Sequence, residues 1–209
     1  SGEEVPGQGF ALLVGIDEDA DSDDSRCCED VRSMSSMLKR DFGFGNSNIK
    51  MLVSDTKHGN CRNSERDSYP TRRSIMDGLQ WLVDRAVVYR GSHIVVQFCG
   101  TSKTRTNSEE SHECFITGDY TECIDNSDLR RVFQQMPEDT TVFLLMDCLH
   151  SGAELGLPII YSPGSSHDES RLEEDSASPV LQLISVNPRC AHTVHKPCSI
   201  TEAFRRTLE

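Results

Sequence analysis

Four stretches of this chain are predominantly apolar with no polar–apolar alternation: "FALLVGI" from Phe10, "IVVQFC" from Ile94, "TVFLLM" from Thr141 and "VLQLISV" from Val180. A strand with one wet face alternates polar and apolar residues. Runs with no alternation belong to strands covered on both faces, and such strands occur almost only in parallel sheets flanked by helices. The segments between them have the matching period. Cys27, Val31, Met34 and Leu38 recur at helical spacing, and Ile75, Leu79, Leu82 and Ala86 do so after a start at Pro70-Thr71. "DNSDLRRVFQQM" forms a third helix with Leu129, Val132, Phe133 and Met136 inward, and Ile49–Val53 a short strand. Strands alternating with helices predict a doubly wound α/β sheet.

The rest of the chain is polar. Residues 54–69 and the Ser- and Glu-rich stretch to about residue 112 read as loops, with a brief strand at "CFIT". Residues 1–9 read as a flexible lead, 10–209 as one domain, and about 162–178 as a mobile linker low in hydrophobic residues. Ser199 and Glu202 make a capping box for a last helix carrying Ile200, Phe204 and Leu208.

Charge and cysteines narrow the function classes. A net charge of −13 argues against nucleic acid or an anionic membrane as partner, because polyanions are held by clustered Lys and Arg. A basic partner is the natural counterpart. No apolar stretch approaches the ~20 residues of a membrane-spanning helix. Nine cysteines, an odd number with several in apolar segments, fit reduced thiols and a cytoplasmic setting. The Cys190, His192, His195, Cys198 group is the one Cys/His cluster, and it reads as an irregular polar loop. The acidic run Asp17–Asp24 lacks the Gly and Glu of a calcium loop and reads as solvated. No cofactor or metal site is expected.

In doubly wound sheets, ligands gather beyond the carboxyl ends of the strands. Those ends carry "ALLVGI", "FCGTS" and "MDCLHSGAELGLP", and "CCEDVRSM", "PTRRSIMDGLQWLV" and "SITEAFRRTL" lie between and after them. In this order the segments resemble those of the metacaspases, caspase-like cysteine peptidases with Y-S-G-H-G and D-[CS]-C-H-S-G motifs. The resemblance implies a caspase-like (caspase-hemoglobinase) α/β sandwich, with a central mainly parallel sheet and helices on both faces. Family domains continue past the last helix, so the chain is expected to stop short of one.

Peptidases of this kind need a thiol and a His that takes its proton. The resemblance puts Thr101 where the His stands and Leu149 where the nucleophilic Cys stands. It therefore implies a catalytically inactive pseudopeptidase, acting by binding or regulation. Cys148 is a thiol next door, and a peptidase using it as an unconventional nucleophile is one alternative. However, adjacent residues on a strand face opposite ways, so Cys148 is expected to point into the core, and no His lies near Thr101 in the sequence. A purely structural scaffold is the other alternative.

The family's calcium site is also thinned: Asn126, Ser127 and Gly156 replace acids, with His112 or Glu113 near the remaining position. The pocket for an Arg or Lys side chain is different. The resemblance assigns it to Cys27, Asp30, Cys99 and Asp147, with Cys99 in place of the usual Ser. An ordinary structural reading, Asp30 as a helix cap and Asp147 as a strand end, stands beside the pocket. Basic peptides or an active metacaspase relative are the expected partners.

Overall fold

The structure, a computed structural model, describes residues 8–17, 27–54, 68–106, 111–148, 160–161 and 180–186. Its centre is a six-stranded parallel sheet of β1 (Gly9–Gly15), β2 (Ile49–Val53), β3 (His93–Gly100), β7 (Thr141–Cys148), β8 (Ile160–Tyr161) and β9 (Val180–Val186). The strand order is β2-β1-β3-β7-β9-β8. The chain leaves β1 toward β2 on one side and comes back to β3 on the other. A crevice therefore opens between the carboxyl ends of β1 and β3.

Strand parity divides the core in two. Ala11, Leu13, Val95, Phe143 and Leu145 pack against Val31, Met34, Met37 and Leu38 of α1 (Cys27–Asp41). On the other face, Phe10, Leu12, Val14, Val96, Phe98, Val142 and Leu144 meet α2 (Arg72–Val88) and α3 (Asn126–Phe133). This is a caspase-like sandwich with helices on both faces of a parallel sheet, as the unbroken apolar runs require. Gly78 brings α2 close to β1, since a Cβ there would stand 2.7 Å from a Leu12 methyl. Thr71 caps α2 by accepting from the Ser74 amide at 3.1 Å.

One expectation fails in part. The brief strand expected at "CFIT" is present within β5 (Ser111–Ile116), but the Ser- and Glu-rich stretch before it, read as a loop, contains β4 (Ser102–Thr106), which pairs antiparallel with β5, and β5 continues to β6 (Cys123–Asp125) in a second, three-stranded sheet. "SKTRT" does alternate, but hydroxyls take the places of aliphatic residues, so hydropathy is silent where Thr's β preference is not. At α1 it is Cys28, 2% exposed, that enters the core, while Cys27 is half-buried at the helix start. Leu149, Gly156, the linker at 162–178, the Cys190–Cys198 cluster and the helix from Ser199 lie outside the described residues.

Candidate functional site

The register sets Gly15, Cys99 and Asp147 side by side at the carboxyl ends of β1, β3 and β7. Parity turns Cys99 and Asp147 to the face covered by α1, in line with Val95 and Phe143. Gly15 has no side chain there, and the first turn of α1 fills the space: a Cβ would stand 2.7 Å from the Cys27 carbonyl oxygen and 2.8 Å from Val31 Cγ2. This close approach carries Cys27 and Asp30 over the strand ends.

The result is a cluster. A carboxylate oxygen of Asp30, Sγ of Cys99 and a carboxylate oxygen of Asp147 all lie within 4.8 Å of one another. The Cys99 thiol donates to Asp147 Oδ2 at 3.6 Å, and the Cys27 thiol stands near enough to act on it electrostatically. The four residues assigned to the basic-side-chain pocket are thus brought together. Asp30 stands exposed in the first turn of α1, where the Cys28 amide donates to Asp17 Oδ1 at 3.3 Å. Asp147 does end a strand, yet its side chain joins the cluster.

The electrostatics are those of a site with excess negative charge. Burial raises the Asp147 carboxyl above its usual range, and the Cys99 hydrogen bond opposes this only in part. The Cys99 thiol is pushed well up by its hydrogen bond with Cys27, by burial, and by the charges of Cys27, Asp147 and Asp30. A thiol held protonated is no nucleophile. What the group can do is receive a cation.

Thr101 follows β3 half-buried, its carbonyl accepting from the Ile116 amide at 2.9 Å, which ties β3 to β5. Leu149 follows the last described residue of β7. Cys148 points to the opposite face, 1% exposed among α2-side residues, and its thiol donates to the Phe98 carbonyl at 3.7 Å. His93 is at the far end of β3, about 23 Å away at roughly 3.3 Å per residue. Cys28 is equally inert, pushed up to about 12 by burial and by Asp17.

Two roles escaped the sequence. Asp17, read as part of a solvated acidic loop, is 6% exposed: its amide donates to Ser54 Oγ, its carboxylate receives α1, and Tyr120 donates to its carbonyl. Arg72 grips buried Asp128 through two bonds of 2.8 and 2.9 Å, fixing α3 to α2. Asp125 and Asp128 form the capping box of α3, so the acids of the segment that resembles a calcium-site strand are engaged in helix capping and an ion pair.

Comparison with known proteins bears on this geometry. Residues 10–158 match the family described as metacaspase, peptidase C14 domain. The chain is 28% identical over 184 residues to Metacaspase-1 of the yeast Meyerozyma guilliermondii, covering 82% of this chain and 42% of that protein. It is 28% identical over 181 residues to a protein named Inactive metacaspase-4 of Trypanosoma brucei brucei, covering 79% and 48%. The chain thus spans less than half the length of these relatives. A solved structure of a Geobacter sulfurreducens protein superposes with a TM-score of 0.52 at 15% identity, over 71% of this chain and 53% of that one, a likeness of fold alone.

Proposed function

Since the chain belongs to the metacaspase, peptidase C14, family, we propose that it is a catalytically silent member which binds a basic side chain in the pocket of Asp30, Asp147, Cys99 and Cys27 and acts by binding rather than by cleavage. The observation that carries this reading is the meeting of Asp30 and Asp147 around Cys99 at the carboxyl edge of the sheet. Two carboxylates in a partly desolvated crevice suit a guanidinium, which makes paired charge-assisted bonds. Arg is then preferred to Lys, whose ammonium offers no planar fork.

Silence follows from the replacements. Thr101 and Leu149 occupy the positions at which the family resemblance sets the general base and the nucleophile, and neither side chain performs that chemistry. Rescue by Cys148 is opposed by its burial and its orientation toward the core. That a relative bears the name Inactive metacaspase is in keeping with loss of activity within the family. The partner is a basic peptide segment, such as one presented by an active relative. The net charge of −13 favours the encounter with such a segment.

Calorimetry with an Arg-ended peptide amide tests the reading, wild type against Asp147→Asn. Measurable binding by the wild type, weakened by Asp147→Asn and weaker for the Lys peptide, is expected. No binding at millimolar peptide, or an affinity indifferent to Asp147→Asn in a folded variant, overturns the pocket. Cleavage of Arg- or Lys-ended reporters that vanishes in Cys148→Ala overturns the silence.

A further inference from the structure

We propose that the same crevice is a site for a thiophilic divalent cation, Zn²⁺ by its donor chemistry, with Asp30, Cys99 and Asp147 as ligands and Cys27 completing the tetrahedron. This inference does not depend on peptide binding. It rests on what two thiols and two carboxylates do when a fold holds them together.

The spacing suits zinc. Zn–S of about 2.3 Å and Zn–O of about 2.0 Å give a tetrahedral sulfur–oxygen edge of about 3.5 Å. The Cys99 Sγ to Asp147 Oδ2 separation is 3.6 Å. Asp30 lies within the same 4.8 Å span, so a cation seated between the three needs only small side-chain rotations. Cys27, one turn before Asp30 and near enough to act on Cys99 electrostatically, is outside that common span and turns inward about its own side chain to become the fourth ligand. All four ligands stand on regular elements: Cys99 and Asp147 on adjacent paired strands, and Cys27 and Asp30 in the first turn of a helix held down at Gly15. One pleat below Cys99 on the same face, Gln97 is 1% exposed and its Oε1 has no hydrogen-bond partner among the described residues, so the floor beneath the cluster is polar as well.

The donor set selects the metal. Calcium and magnesium require many hard oxygen ligands, whereas thiolates favour zinc. On binding, each thiol gives its proton to solvent as its metal–sulfur bond forms. The cation also offsets the repulsion between the two carboxylates that converge beside Cys99. A basic side chain and the cation would compete for one place, which makes zinc an inhibitor of peptide capture.

Cobalt(II) titration reads the site directly, because tetrahedral thiolate ligation gives sulfur-to-metal charge-transfer and visible d–d absorption. Wild type should take up one Co²⁺ with these bands, and Zn²⁺ should displace it. Cys99→Ser, Cys27→Ser and Asp147→Asn should each weaken uptake by more than the roughly 10–100-fold that loss of a mere supporting partner costs. Asp30→Asn, at an exposed position, keeps the test decisive should a buried variant not fold. A Cys190→Ser, Cys198→Ser double variant should bind as wild type does. The inference is overturned if no thiolate bands appear, if the pocket variants bind like wild type, or if the Cys190, Cys198 variant abolishes them. Peptide calorimetry is unaffected by any of these results, so the two readings fail separately.

Discussion

Gly15→Ala should disturb fold and site together. The added methyl would stand 2.7 Å from the Cys27 carbonyl oxygen and 2.8 Å from Val31 Cγ2. The second contact can be relieved by a side-chain rotation, but the first is with backbone, so α1's first turn must move. Ordinary contact begins near 3.4 Å, so the shift is about 0.7 Å. Overpacking of this size costs about 1–3 kcal/mol. For a chain of this length, at about 2–4 °C per kcal/mol, Tm falls by about 2–12 °C. The same shift lifts Cys27 and Asp30 from Cys99 and Asp147. Sites need their geometry held within roughly 0.5 Å, so a displacement of this size should weaken binding measurably. Gly45→Ala is the control: its φ is −67°, and the nearest atoms to its Cβ are 3.7 Å away, so stability should hold or rise slightly. Urea unfolding and peptide calorimetry on both variants give the comparison. A Gly15→Ala protein with the wild-type midpoint would show that α1 does not press on β1 as described.

Asp147→Asn should stabilise the protein while removing ligand binding. Burial raises this carboxyl, so the folded state holds the proton more tightly than the unfolded chain, and stability falls as pH climbs from the unfolded to the folded pKa. The advantage of the variant should be full near neutral pH and vanish below about pH 4, as urea melts would show. An equal or lower midpoint at neutral pH would contradict it. Arg72→Ala strands Asp128, 5% exposed, and should cost on the order of 3 kcal/mol, read by urea unfolding; a loss below 0.5 kcal/mol, roughly that of a surface change, would count against the clamp. Calcium at millimolar concentration should give no rise in Tm beyond that with magnesium, because Asp125 and Asp128 are committed to capping and pairing. A calcium-specific rise lost in Asp125→Asn would reverse that conclusion.

What was legible in the sequence follows from how each feature is encoded. The parallel sheet was readable because burial on both faces leaves no polar residue in "FALLVGI" or "TVFLLM", a signal contained within seven residues. β4 was missed because the alternation of "SKTRT" is between hydroxyls and charges, whereas its partner β5 showed itself in the apolar "CFI". Asp17 was unreadable as the group that receives α1, since its partner amide at Cys28 lies eleven residues on, across a loop. Arg72 and Asp128 are 56 residues apart, and charge alone does not mark their pairing. The pocket was reached only through likeness to a family. Nothing in "CCED" or "MDCL" by itself says that the two acids meet; the register of β3 with β7 and the missing side chain at Gly15 bring them together.

The parity of β7 separates binding from chemistry at this edge. Asp147 and Cys148 are neighbours in sequence, yet one faces the crevice under α1 and the other the core beneath α2. The clustered Asp30, Cys99 and Asp147 come from the α1 face of β3 and β7 and from α1 itself, so their meeting does not depend on the residues beyond the strand, where the family's nucleophile belongs. A thiol on the core side cannot move across without turning the strand over, which would carry Leu145 and Phe143 out of the α1 cluster and Leu144 and Met146 out of the other. The cost of that inversion is the sheet itself. A nucleophile missing beyond the strand would therefore not be replaced from within β7, whereas the cluster of Asp30, Cys99 and Asp147 needs only that α1 stay seated on Gly15.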